Sequence, residues 1–506
     1  VTASGADEDG VPGLDVILGE IDQVVEPVTE AVSMAPAVGI AVAGGPVLAL
    51  HDGSGPAPPH RGDSVRAGLS QAGPVAVAGL VVNGAGALVV VAVARLVSPQ
   101  AYGAIAQLLG LFFILSMPGS AVLVGVVRRV TALRKSGRDD LVRRWVGRVH
   151  RVVLVAIAVE VVVVVLIQGW IADQLSLPNS QGVVLILVAA GVWILLCVDR
   201  GLLQAHRSYR GLAGNLLIEG GVRTVVVIVL VAAHLGVGGY ALGVFLGEVV
   251  ATAHAHWLAR TTWTSGPDTV TGGATGGGAV SVLERRRLMA DVSAAFVGLA
   301  LLGLLQNVDV ILLGRLDHAN VGPYAAISVA SKALVFGALA LGAYLLPEAT
   351  IRWNEGGHAI RQLGVTLIFL AVPAAVLLVI AVLIPRWFLT AVFGAKLSAA
   401  APAFATLVVA MMFLSFSVLV TNYLFGTGSR WIVLLLAAGS GLALVLIHRA
   451  GGQTVATARA DLAAQAALAL AMGVAFTAIH HRHRRIPRRR PGASPPATAG
   501  GESAPG

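Results

Sequence analysis

The chain has 506 residues, 56% of them hydrophobic and 12% charged, with a formal net charge of +9 and a mean hydropathy of +0.83. Soluble domains carry roughly 25% charged residues, so this chain has too little charge to coat a soluble surface of its size. That excludes a soluble enzyme, a nucleic-acid binder and a disordered protein, and it assigns the chain to the polytopic membrane proteins. The charge is also uneven. Residues 1–60 hold nine acidic side chains and no Lys or Arg, so the basic balance belongs to the rest of the chain.

In chain order, residues 1–73 are rich in Gly and Pro and lack a sustained period. They read as an acidic, disordered extension. Ala31–Leu50 is apolar, but it contains Pro36, Pro46, Gly39, Gly44 and Gly45 and has no basic flank, so it is not read as a span. From residue 74 onward, apolar runs near 20 residues recur, the length that crosses a hydrocarbon core of about 30 Å. Twelve are read: 74–96, 104–127, 152–172, 183–199, 212–235, 240–259, 292–314, 322–346, 364–384, 402–425, 431–448 and 457–479. The fold class is therefore all-α.

The spans form two sets of six: a first lobe over 74–262 and a second over 292–480. Residues 263–291 lie between them, and 481–506 form a basic, disordered tail. The linker holds the Gly/Thr tract 266–279. Its GGATGGG run lacks the Lys-Ser/Thr of a phosphate loop, so it reads as a flexible connector. Val280–Asp291, with Glu284, Arg285, Arg286 and Arg287, reads as an interfacial amphipathic helix leading into the seventh span.

Of the 35 Lys and Arg, 27 fall in the terminal and even-numbered connecting segments. Six fall in the odd-numbered ones or at the run ends beside them (Arg95 and Arg459), and Arg223 and Lys332 lie deep within spans. Basic residues accumulate on the cytoplasmic side, which predicts cytoplasmic N- and C-termini in the plasma membrane. The tail His480–Arg485 reads as an anchor on an anionic inner leaflet. The net positive charge is explained by this topology, and no nucleic-acid partner is implied. Cys197 lies in an apolar run and reads as a small buried hydrophobe.

An internal repeat strengthens the two-lobe reading. Ala94-Arg95-Leu96 is followed by Ser98-Pro99-Gln100-Ala101-Tyr102-Gly103-Ala104. Gly314-Arg315-Leu316 is followed by His318-Ala319-Asn320-Val321-Gly322-Pro323-Tyr324-Ala325. Six spans per repeat preserve orientation, so the two lobes are related by a pseudo-twofold axis along the membrane normal.

At these stretches the sequence resembles the polysaccharide flippases of the MOP (multidrug/oligosaccharidyl-lipid/polysaccharide) superfamily, whose fold is MATE-like. Leu202–Leu212, Leu305–Gly314, Tyr344–Glu348 and Phe393–Ala401 add to the resemblance, which covers about 74–480. It implies two six-helix lobes in a V around a central cavity. It also implies export of a lipid-linked glycan by alternating access. Lipid II flippases usually carry extra C-terminal spans and an Arg motif in the first span. Here the first span has only Asn83, which favours the O-antigen/exopolysaccharide type.

Charge within a bilayer costs about 2.5–3.5 kcal/mol per side chain, and it generally faces a partner or a cavity. The candidates for ion coupling are Glu160, Glu219, Glu248 and Asp309. The candidates for lining the substrate cavity are Arg223, Lys332, Asn83, Asn307 and Asn422. Glu219 and Arg223 are at i, i+4 and can pair; alternatively Arg223 presents its donor fork to a substrate phosphate. Asp309 and Lys332 can form an interlobe charge pair if the seventh and eighth spans are neighbours. His254 and His256 point to different faces of one helix, which is poor metal geometry, and no metal or cofactor is expected. The expected partners are a polyprenyl-diphosphate-linked glycan, the bilayer, and the glycosyltransferases or polymerase of a glycan pathway. A cation-coupled drug exporter and a membrane glycosyltransferase are the competing readings. The enzyme is disfavoured because the longest external segment, about 385–401, holds no Asp, Glu or His.

Overall fold

The computed structural model describes residues 61–484, apart from 136–138, 176, 178–179, 265–281, 355–359, 427–428 and 430. The readings of the N-terminal extension up to residue 60, of Ala31–Leu50, of the Gly/Thr tract and of the tail beyond Arg484 lie outside the described residues. Among those described, the regular structure is helical: α1 Arg61–Leu96, α2 Pro99–Lys135, α3 Asp139–Leu175, α4 Gln181–Ala205, α5 Tyr209–Ala232, α6 Gly236–Thr264, α7 Val282–Leu316, α8 Val321–Asn354, α9 Ile360–Leu383, α10 Pro385–Phe393, α11 Ala401–Gly426, α12 Ile432–Arg449 and α13 Thr454–Arg484. Twelve of these are long and apolar enough to cross a membrane, and α10 is not one of them. The protein is a multi-pass membrane protein.

Several helices extend beyond the apolar runs. α1 begins at Arg61 rather than at residue 74, and α7 runs unbroken from Val282 through the stretch read as a separate amphipathic segment. Hydropathy marks where a helix enters the bilayer, while backbone hydrogen bonding continues past that point. The basic segment 128–151 is likewise largely helical. There the ends of α2, α3, α4 and α6 build a separate small core. Val126, Val130 and Leu133 pack against Val142, Trp145, Val146 and Val149, with Val198, Leu202 and Ala259 closing it.

Helix pairing repeats between the halves. α2 packs chiefly on α4, α4 on α6, α5 on α1 and α6, and α3 on α4. In the second half α8 packs on α11, α11 on α13, α12 on α7 and α13, and α9 on α11. Substituting α7, α8, α9, α11, α12 and α13 for α1–α6 converts one set into the other, as a duplicated six-helix unit requires. The third helix of each half, α3 and α9, is peripheral. Only 6% and 22% of their apolar windows are buried, and exposed Val155, Val159, Val162, Leu166, Ile368 and Phe369 form faces suited to lipid.

Segment 385–401 is helical rather than an open loop. Pro385 starts α10 at its first turn, where its missing N–H costs nothing. Gly394 ends it at φ 95°, a conformation open to glycine. Leu389 and Phe393 are buried, and Phe388 stacks on Phe404 with ring centroids 5.7 Å apart. Arg95 at the end of α1 donates to the Val392 carbonyl at 3.3 Å and to the Ala391 carbonyl. These are unpaired carbonyls of a helix C-terminus, which attract cations.

Candidate functional site

Three arrangements emerge from this scaffold: a charged network in each lobe and a seam between the lobes. In the first lobe, α4 supplies Arg200, α5 supplies Asn215, Glu219 and Arg223, and α6 supplies Glu248. Glu219 is the hinge of the network. Its Oε2 accepts from Arg200 Nη2 at 2.5 Å and its Oε1 lies 3.0 Å from Arg223 Nη1. Arg223 Nη1 also reaches Glu248 Oε1 at 3.4 Å. Arg200 Nε donates to Asn215 Oδ1 at 2.8 Å, and Asn215 Nδ2 donates to the Ala251 carbonyl at 2.8 Å. The Arg200 guanidinium also sits over the Trp193 ring, 5.4 Å from its centroid, a cation–π placement.

Two guanidinium groups thus face two carboxylates, and the network can be neutral. Arg200, Glu219 and Glu248 side chains are 0–5% exposed, whereas Arg223 retains 25%. The i, i+4 pair predicted from the sequence forms. It does so as part of a four-residue cluster whose other cation, Arg200, falls just beyond the fourth apolar run and so counts by sequence among the connecting-segment cations. The fourth apolar run ends at Asp199, so Arg200 looked like the first loop residue. In the structure α4 continues to Ala205 and Arg200 is 3% exposed.

In the second lobe, Lys332 on α8 lies against α7. Its Nζ donates to Asn307 Oδ1 at 3.3 Å and to Asp309 Oδ1 at 3.5 Å. Ser328 Oγ donates to Asp309 Oδ2 at 2.9 Å. The expected Asp309–Lys332 pair is therefore present, and it lies within one lobe rather than between lobes, because α7 and α8 both belong to the second set of six. The sequence reading missed Asp461 on α13, which sits close enough to interact electrostatically with both Asp309 and Lys332. Asp461 Oδ1 accepts from Gln465 Nε2 at 3.1 Å, and its Oδ2 has no hydrogen-bond partner. This cluster pairs one ammonium with two carboxylates. Its signal was obscured because the twelfth run is Ala-rich and weakly hydrophobic.

The remaining candidates stand apart. Glu160 on α3 is half-buried and turned toward Gly191 of α4, in keeping with the expected inward orientation. Asn83 is exposed on α1. Asn422 is fully buried, donates to the Val418 carbonyl at 3.0 Å and packs at Gly342 of α8. It joins α11 to α8 inside the second lobe.

The seam between the lobes is built on α2. Successive positions Gly103, Gln107, Gly110 and Ile114 meet Val321–Gly322, Gly314, Asn307 and Gly303 of α8 and α7. These α2 positions are spaced by three or four residues and so share one helix face. A Cβ on Gly322 would strike the Pro99 carbonyl, and one on Gly103 would strike Val321. Glycine lets the two backbones touch here, as in close helix crossings within membranes. The two copies of the sequence repeat are therefore the surfaces that meet. Phe113 of α2 and Phe336 of α8 extend the contact, with centroids 5.9 Å apart. Past Met117, α2 turns to its own lobe, with Gly119 against Trp193 and Cys197, and Gly201 of α4 against Val126. The described seam thus occupies the half of α2 next to the α1–α2 and α7–α8 turns.

No protein-family model matches the chain, and no curated protein matches it by sequence. Its fold does match solved structures. One is a multidrug resistance MATE family transporter of the MOP superfamily in an inward-facing conformation. The match has a TM-score of 0.58 at 12% identity and covers 78% of this chain and 95% of that one. Another is the Vibrio cholerae MATE transporter VcmN in the bent form, with a TM-score of 0.52 at 14% identity, covering 82% and 97%. The duplicated six-helix halves, joined along α2, α7 and α8, are thus arranged in the V-shaped fold of the MATE transporters of the MOP superfamily.

Proposed function

We propose that the protein is an alternating-access transporter that flips a polyprenyl-diphosphate-linked oligosaccharide from the cytoplasmic to the outer leaflet for cell-surface polysaccharide synthesis. The observation that carries the transport reading is the seam, which among the described residues runs along one half of α2. Two rigid lobes touching along half of α2 can rock about that contact, opening one end as the other closes. On the positive-inside reading the seam lies at the outer end of the lobes, which leaves the cytoplasmic end for loading of a lipid-linked substrate.

The cargo reading rests on the sequence resemblance and on cation placement. Arg223 is the one member of the first-lobe network with a quarter of its side chain accessible, whereas the second-lobe cation, Lys332, is buried, with 9% of its side chain exposed. A diphosphate can compete with Glu219 and Glu248 for the Arg223 fork. The glycan would occupy the hydrated cavity while the prenyl tail stays in lipid. The two carboxylates around Lys332, Asp309 and Asp461, supply a titratable or cation-accepting group for coupling to an ion gradient.

Deletion of the gene should accumulate lipid-linked glycan on the cytoplasmic side. Arg223→Ala and Lys332→Ala should each abolish complementation when expression is adjusted to the membrane level of the parent. Complementation by both variants would sink the cargo reading. A second reading, a cation-coupled drug exporter, is favoured by the matched multidrug transporter and by the surplus carboxylate in the second lobe. Altered drug tolerance with normal glycan in the deletion strain would select it.

A further inference from the structure

At the end of the first lobe away from the seam, three helices bring together side chains that the transport reading does not use. His150 is on α3, Asp199 near the end of α4 and His256 near the end of α6. Their atoms Nε2, Oδ1 and Nδ1 all lie within 4.8 Å of one another. His150 Nε2 is 2.9 Å and His256 Nδ1 3.3 Å from the same Asp199 oxygen. The two imidazole rings are 5.2 Å apart between centroids. Asp199 is 1% exposed, and its other oxygen, Oδ2, has no partner. The neighbouring Arg200 does not serve it, because that guanidinium is engaged by Glu219 and Asn215.

Donor and acceptor roles then force a conclusion. His150 Nδ1 lies 3.0 Å from the Val146 carbonyl. A carbonyl only accepts, so Nδ1 carries the ring proton. In a neutral imidazole this leaves Nε2 with a lone pair, aimed at a carboxylate oxygen. Two acceptors at 2.9 Å need a positive species between them, and a second imidazole converges on the same oxygen. A backbone carbonyl on the non-ligating nitrogen is the usual way a metal-binding His is oriented. The spacing also fits. Bonds of about 2.0–2.1 Å at tetrahedral angles put neighbouring ligand atoms about 3.3 Å apart, against the observed 2.9 and 3.3 Å.

We propose that His150, Asp199 and His256 form a binding site for a divalent transition-metal ion of the Zn2+ type. His150 Nε2, His256 Nδ1 and the Asp199 carboxylate would be the protein ligands, with water at the remaining position. The His150 and His256 side chains keep 15% and 39% exposure, which gives an ion and a water access. The site borders the small core around Trp145. There it ties the peripheral α3 to α4 and α6. The sequence pairs His256 with His254 at i, i+2, which is no chelate. The fold pairs it instead with residues 57 and 106 positions away, which only packing of three helices could supply.

The test uses the full chain in detergent, with His480, His481 and His483 replaced by Ala so that the tail cannot bind metal. After chelator treatment, titration with ZnCl2 near pH 7.5, where a free imidazole is neutral, should show one ion per chain by calorimetry. Co2+ should give a visible d–d absorption from a nitrogen–oxygen site. His256→Gln, at the most exposed ligand, should weaken Zn2+ binding by more than the 10- to 100-fold that loss of an outer-shell partner costs. It should also remove the zinc-dependent rise in melting midpoint that binding to the folded state produces. His150→Gln should do the same, and monodisperse elution would establish that each variant is folded. Absence of Zn2+ binding in the folded, tail-substituted chain would overturn the proposal and leave a proton on His150 as the bridging species. Unchanged affinity in both Gln variants would overturn it equally.

Discussion

Replacing Gly322 by Ala perturbs the seam at its tightest point. The added Cβ would fall within the contact distance of the Pro99 carbonyl oxygen, 2.7 Å from the Pro99 carbonyl carbon and 3.0 Å from its Cα. All three are backbone atoms, so no rotamer change relieves the overlap, and the starts of α2 and α8 must separate. Overpacking of this kind costs about 1–3 kcal/mol. The cost arises only in the conformation in which the lobes touch here, so it shifts the equilibrium between lobe arrangements by about 5- to 150-fold. Spin labels at Gln100→Cys and His318→Cys, flanking the two turns, report the separation by pulsed electron resonance. The single native cysteine, Cys197, is buried and leaves the background clean. Gly322→Ala should move the distance distribution toward longer values. Gly221→Ala, whose Cβ meets nothing within 4 Å, should leave it unchanged. A Gly322→Ala distribution indistinguishable from that of the parent would refute the seam.

The charged networks give two further predictions. Glu219→Gln removes the carboxylate shared by Arg200 and Arg223 and leaves Arg200, 4% exposed, with Asn215, the Trp193 ring and a neutral amide but no paired carboxylate. Removing one partner of a buried ion pair costs about 3–5 kcal/mol, so the variant should melt markedly lower than the parent in a thermal assay; an unchanged midpoint would mean that the cluster does not hold charge in the folded state. In the second lobe, Asp309→Asn and Lys332→Leu should each destabilise, while the double variant should lie closer to the parent than the sum of the two. Simple additivity in that cycle would show that Lys332 and Asp309 are not coupled.

The sequence was informative about helices and much less so about which of their side chains meet. Twelve apolar runs predicted twelve spanning helices, because length and hydropathy are local properties of a segment. The repeat at Arg95 and Arg315 predicted the duplication, which the helix pairing reproduces. Spacing predicted the Glu219–Arg223 pair, since four residues along one helix fix a shared face. Arg200 and Asp461 were missed for the same physical reason. Each lies where the hydropathy signal is weakest, at the end of a run or in an Ala-rich one, and its partners come from other helices. The basic segment 128–151 was read by its charge alone. Its apolar positions Val142, Trp145, Val146 and Val149 belong to a small core that forms only when α2, α3, α4 and α6 converge.

The low charge content with which the chain is first met settles that it is a membrane protein, and the run lengths settle how many helices cross. Both follow from the cost of burying charge and unpaired backbone in hydrocarbon, which each segment meets on its own. The tertiary structure alone decides how the few retained charges are grouped. It sets Arg223 between two carboxylates, Lys332 beside Asp309 and Asp461, and His256 beside Asp199 and His150. It also brings the two repeat copies face to face at Gly103 and Gly322. Those are contacts between helices far apart in the chain. They depend on which faces pack together, and no local period encodes that.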